Sequence, residues 1–168
     1  MSPTVFYGLT SLGVFHTLVS LLALAAGAIA LIRDKKIVRS NPIGRVYLIS
    51  TVIVCFTGFG IFQHDGFGKP HALGVITLIT IVVAFLAGSP GRFGRFTPYV
   101  ERIGYSLTFF FHIVPTITES ATRLPYGVPL AASPEDPRIK AAIGVCFLFF
   151  LAGAFLQARA LRRELEAA

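Results

Sequence analysis

The chain has four histidines, His16, His64, His71 and His112, each beside or inside a strongly apolar run. His64 and His71 belong to one short polar stretch, Gln63 to His71, which also holds Asp65; Glu119 follows His112 by seven residues. Neutral imidazoles ligate haem iron and also zinc, copper or iron, and carboxylates can complete a divalent-metal shell. His16 and His112 could supply the two axial bonds of a b-type haem. Alternatively, His16, His64, His71 and His112, with Asp65 or Glu119, could hold a divalent metal. In a third reading the histidines are structural, the deep pair bonding across helices and the pair in the polar stretch facing water. No pair spaced as His-x-x-x-His occurs, so spacing alone does not select among the three. The expected function is an outer-side histidine and carboxylate site that binds haem b or a metal ion in a redox role; the alternative is a structural or accessory subunit, or a protein that passes protons or a small solute.

Other chemistries find little in the chain. There is no glycine-rich phosphate loop after a strand, so nucleotide binding is unsupported. Ser120 and Thr122 lie near His112 in sequence, yet no nucleophile, base and acid form a set, and whether any reaction is catalysed stays open. Lys140 falls at the edge of an apolar run, a poor place for a retinal Schiff base. Cys55 and Cys146 both sit within apolar runs and read as buried thiols rather than a disulfide framework.

The elements that must carry the histidines are set by composition. Of 168 residues, 54% are hydrophobic and 14% charged, and the mean hydropathy is +0.74. A soluble domain carries about a quarter charged residues. Several runs approach the ~20 residues that span hydrocarbon. The expectation is an all-α integral membrane bundle of five transmembrane helices, forming one domain over residues 1–168. The expected spans are residues 6–32, 44–62, 70–88, 99–118 and 139–158. The first is too long, and too poor in a basic leader, for a cleaved signal peptide. A net charge of +7 suggests nucleic acid, but the basic residues lie in short segments between spans, which argues against it. The arginine and aromatic loop at 89–98 reads as an interfacial anchor for the same reason.

Seams within the spans point the histidines inward. Gly13, His16, Ser20, Ala23, Gly27 and Ala30 form a small-residue stripe at alternating steps of three and four. Glu101, Tyr105, Thr108, His112, Pro115 and Glu119 form a polar stripe in the fourth span. Pro115 lacks the N–H that would bond the Phe111 carbonyl, beside His112. In the second span Thr51, Cys55 and Gly58 share a face. An odd number of spans puts the termini on opposite sides. With the N-terminus outside and the C-terminus cytoplasmic, only Lys69, Arg123, Arg138 and Lys140 of the fifteen basic residues fall outside, as the positive-inside bias requires. All four histidines then fall in the outer half, His112 about 9 Å and His16 about 15 Å below the outer ends of their spans. The expected setting is a bacterial inner membrane, with the lipid bilayer as the certain partner, a quinone or redox protein as a candidate partner in electron transfer, and no nucleic acid.

Gly44-Arg45-Val46-Tyr47, Gly58-Phe59-Gly60-Ile61-Phe62 and Pro70-His71-Ala72-Leu73-Gly74 together resemble the predicted membrane proteins grouped as domain of unknown function 2306. The resemblance covers about residues 10–90. It implies a small helical bundle, haem-linked or redox-linked, in which His16 and His71 are more than incidental. It says nothing of His112. Members of that family commonly carry a histidine just before Gly-Arg-x-Tyr, where this chain has Asn41-Pro42-Ile43.

Overall fold

The computed structural model describes residues 10–61, 66–88, 94–125 and 127–167. They form five helices and no strand: α1 (Ser11–Asp34), α2 (Pro42–Gly58), α3 (Lys69–Ala87), α4 (Thr97–Arg123) and α5 (Pro137–Glu166), with one 3₁₀ turn at Gly94–Phe96. Caps and prolines mark most of the starts. Thr10 Oγ1 accepts from the Gly13 N–H at 3.1 Å, Asn41 Oδ1 from the Gly44 N–H at 2.7 Å, and Asp136 Oδ1 from the Arg138 N–H at 2.8 Å. Pro42, Pro70, Pro98 and Pro137 occupy first turns, where a missing N–H costs nothing. Lys35 closes α1 in the left-handed region, φ 57°, and its ammonium donates to the Ile32 carbonyl at 2.7 Å.

Neighbours in sequence pack side by side, and α4 also returns to α1, so that α1 to α4 close a ring with α5 laid against α4. The α2 and α4 backbones stay apart across this ring, and side chains bridge them. The interior is small or polar: Ala23, Ala26, Ala30 and Ala84 are buried together with Tyr47, Thr51, Tyr105 and Thr108. Leu18, Leu21, Ile49, Phe56, Ile79 and Phe149 point outward and are more than half exposed. In water that distribution would leave large apolar patches bare. In lipid it is the favourable one, since close packing of small residues and interhelical hydrogen bonds replace the hydrophobic drive between helices.

Three helices, α1, α3 and α5, are long and apolar enough to cross a membrane. The other two differ from the expectation in instructive ways. α2 is apolar but has 17 residues, because Gly58 ends it before residue 62. α4 has 27 residues and continues through Pro115, but its polar stripe keeps it out of the apolar class. The middle of that stripe is turned inward, with Tyr105, Thr108 and His112 buried and Ser106 buried beside them, while Pro115 and Glu119 are exposed.

Charges lie at the two ends of the bundle and are mostly paired. At one end Arg39 meets Glu101 at 3.1 Å and donates to the Gly88 carbonyl at 2.9 Å, satisfying the end of α3. At the other, Glu135 bridges Lys69 at 2.5 Å and Lys140 at 2.7 Å, tying the α4–α5 loop to the starts of α3 and α5. Lys140 first, then Lys69, hold the Glu135 carboxyl well below its ordinary 4.5, at about 2. The sign follows from the direction. The clamp contributes fully above pH ~4.5, and its contribution is lost as pH falls from there through about 2. Glu135→Gln is therefore expected to speed amide exchange in the 127–136 loop at neutral pH and to change nothing near pH 2. Exchange measured at both pH values checks this, and equal effects at both would contradict it.

Candidate functional site

The inward stripe of α4 and the polar face of α2 meet along the middle of the bundle, and α1 brings His16 to the same region. His112 is buried, and its Nε2 lies 3.0 Å from Thr51 Oγ1 on α2. The Tyr47 ring meets the His112 ring edge-on, with centroids 5.9 Å apart. One turn toward the other end, the Tyr47 hydroxyl lies 2.7 Å from Thr108 Oγ1. On α1, His16 is half-buried, with Nδ1 2.9 Å from Thr57 Oγ1. Its Cε1 would stand 3.3 Å from a Cβ placed on Gly58, so the glycine makes room for the ring.

The directions of these bonds are fixed by the threonines. Thr51 Oγ1 is 2.8 Å from the Tyr47 carbonyl oxygen, and two oxygens that close need the hydroxyl hydrogen between them. Thr51 can then only accept from the ring, so His112 carries its proton on Nε2. Thr57 donates to the Ile53 carbonyl at 2.9 Å, so His16 donates to Thr57 from Nδ1 and keeps its lone pair on Nε2. Thr108 donates to the Tyr105 carbonyl at 2.8 Å, so the Tyr47 hydroxyl donates to Thr108. Each run of bonds ends on a backbone carbonyl, which cannot pass a proton on. This is a set of braces between helices: His16 joins α1 to α2, while His112 and Tyr47 join α4 to α2.

The remaining candidates are placed differently from one another. His71, expected at the interface among water, is buried at the start of α3. Its Nδ1 accepts from the Gly68 N–H at 3.1 Å and its ring stacks on Phe67, centroids 5.3 Å apart. Folding back to cap its own helix removes the ring from solvent. Glu119 is exposed and forms an ion pair with Arg123 one turn on. His64 and Asp65 lie outside the described residues. Among the described residues no three of histidine, cysteine, aspartate and glutamate gather as a metal shell. His16 and His112 are brought to one helix, but at Thr57 and Thr51, six residues or about 9 Å apart along α2.

Residue types and spacing alone did not single out Thr57, Tyr47 or Gln157. Tyr47 precedes Thr51 by four residues and so shares its face, a signal present in the sequence. Gln157 is a lone amide within an apolar span, and it links α4 to the end of α1. It accepts from the Ser106 hydroxyl at 2.9 Å and donates to the Lys35 carbonyl at 2.8 Å. Compared with protein-family models, curated proteins and solved structures, the chain finds no match in any of the three.

Proposed function

We propose that the protein is a structural or accessory subunit of a bacterial inner membrane, a five-span bundle with its N-terminus outside, whose deep histidines brace helices rather than carry a reaction. The observation that carries this reading is the pairing itself: His16 and His112 each meet a threonine of α2, at 2.9 and 3.0 Å, whose hydroxyl also lies 2.9 or 2.8 Å from a backbone carbonyl. Such bonds hold helices together in lipid, where burial of apolar surface cannot. The span count is supported by α2, whose 17 residues rise about 25 Å, and by the inward turn of the α4 stripe.

A haem b or metal reading in a redox role, with a quinone or redox protein as partner, has one specific observation in its favour. His16 is held by Nδ1 with its Nε2 lone pair available, the arrangement that ligating histidines adopt. His112 fits an axial role less well. Its Nε2 is engaged by Thr51, which leaves Nδ1, and that nitrogen sits beside Cβ where a flat macrocycle would crowd the α4 backbone.

One measurement separates these readings. Purified protein is expected to be colourless and free of stoichiometric metal. A Soret band that shifts on adding dithionite would overturn the structural reading in favour of haem. Stoichiometric zinc, copper or iron without that band would overturn it in favour of a metal site.

A further inference from the structure

α1 and α5 flank α4 without their backbones approaching each other, and the space between them is a groove of about 800 Å³. Phe109, Phe110 and Ile113 of α4 form its floor, and Leu31 and Phe150 form part of its sides. Gly153 and Ala154 leave α5 without bulk there, which gives the groove its depth. A volume of this size lies within the range that takes a lipid-sized or drug-sized ligand, roughly 300–1,000 Å³. The walls are held at fixed spacing by Gln157, which bonds Ser106 of α4 and the Lys35 carbonyl at once. The groove is thus preformed.

Its polarity is graded along its length. The far part is hydrocarbon, while Lys35, Lys36 and Arg102 converge at the end near the C-terminus of α1. Two carboxylates answer four basic groups at that end. Asp34 is taken by Arg33 at 2.8 Å, and Glu164 by Arg102 at 2.6 Å, with Lys36 at 3.9 Å from Glu164. Among the described residues the Lys35 ammonium meets the Ile32 carbonyl at 2.7 Å and no carboxylate. An open apolar groove on a membrane bundle is filled by acyl chain, since water gains nothing there. A surplus of positive charge at its mouth selects the headgroup, because basic pockets between membrane helices attract anionic lipid.

We propose that this groove is a binding site for one anionic phospholipid, with an acyl chain between α1 and α5 and its phosphate at Lys35 and Lys36. The proposal rests on membrane insertion but not on the roles of His16 and His112. A zwitterionic lipid would fill the same groove with weaker hold, because its own cation meets the lysines.

Native mass spectrometry of the detergent-purified full chain, titrated with phosphatidylglycerol or phosphatidylcholine, tests it. One phosphatidylglycerol should be retained in preference to phosphatidylcholine. Lys35→Gln and Lys36→Gln should each weaken phosphatidylglycerol roughly fivefold and leave phosphatidylcholine unchanged. Gly153→Leu should lose both lipids while keeping at least the wild-type thermal midpoint in lipid-free detergent, because a Cβ at Gly153 meets nothing within 4 Å. Equal retention of the two lipids, or a Gly153→Leu protein that still holds phosphatidylglycerol, would overturn the proposal. A protein released from membranes by carbonate would instead overturn membrane insertion itself, which keeps the two failures apart.

Discussion

Gly44→Ala should leave little folded protein, because no described glycine approaches backbone more closely. A Cβ at Gly44 would stand 1.9 Å from the Val38 carbonyl oxygen and 2.6 Å from its carbon, both backbone atoms. The turn that carries them cannot step aside cheaply. The Val38 carbonyl accepts the Asn41 N–H at 3.2 Å, Asn41 Oδ1 caps α2 through the Gly44 N–H, and Asn41 Nδ2 donates to Asp34 at 2.9 Å. Ile37, beside Val38, is buried in the core, so the turn is anchored from that side as well. Relief must come from moving α2, and Tyr47 lies one turn further on, bonded across the bundle to Thr108. Overpacking of this kind costs about 3 kcal/mol or more. The control is Gly153→Ala, where the same methyl enters open space and gains helix propensity, for a change of about 0.5–1 kcal/mol in the stabilising direction. Yield of monodisperse protein and thermal midpoint in detergent check both. A Gly44→Ala protein with the wild-type midpoint would refute the close-approach account.

The same geometry gives physical content to the short motif that drew the resemblance. In Gly44-Arg45-Val46-Tyr47, the glycine lets the α1–α2 turn lie against the helix start, and the tyrosine is the fully buried brace to α4. Arg45 is exposed, and no contact among the described residues explains it. Neither role needs a ligand, so the motif is as compatible with a helix-packing device as with a cofactor site.

Much of the fold was legible because its signals are periodic. Most of the small-residue seam of α1 and the middle of the polar stripe of α4, from Tyr105 to His112, turned inward as their spacing predicts, since a helix repeats its face every three or four residues, whereas Pro115 and Glu119 at the end of the stripe lie exposed. Pairing across helices was not legible. Nothing in the spacing of His16 and Thr57, 41 residues apart, says that they meet, and nothing says that His112 stops at Thr51. Helix order decides those contacts, and order is a property of packing rather than of any one stripe. His71 was misplaced for a local reason. Beside Pro70 it reads as an interfacial residue, but a side chain that returns to cap its own helix start escapes water without going deep. The length of α2 was overestimated because Gly58, Phe59 and Gly60 look apolar enough to continue a span, while Gly58 closes the helix.

Thr51→Val should destabilise the bundle by about 1–3 kcal/mol, although the two side chains have nearly the same shape. The cost comes from His112. With Thr51 donating to the Tyr47 carbonyl and accepting from His112 Nε2, removal of the hydroxyl strands an N–H that is buried between α2 and α4. His112→Leu removes that N–H, together with the edge-on contact to Tyr47, and should cost a similar or somewhat larger amount. The double variant distinguishes a brace from two independent packing residues. If the pair acts only through its mutual bond, Thr51→Val in a His112→Leu background should cost almost nothing, because no stranded donor remains. The expected coupling then equals the cost of Thr51→Val alone, with about 1 kcal/mol, the low end of that range, closest to interhelical hydrogen bonds measured in membrane proteins. Thermal midpoints of the four proteins in one detergent give the cycle, and strict additivity would show that Thr51 and His112 do not hold each other. The cycle also bears on ligation. Were His112 an axial ligand, Thr51→Val would free its Nε2 and strengthen the cofactor's hold, whereas a brace predicts a weaker bundle and a spectrum that stays featureless in all four proteins.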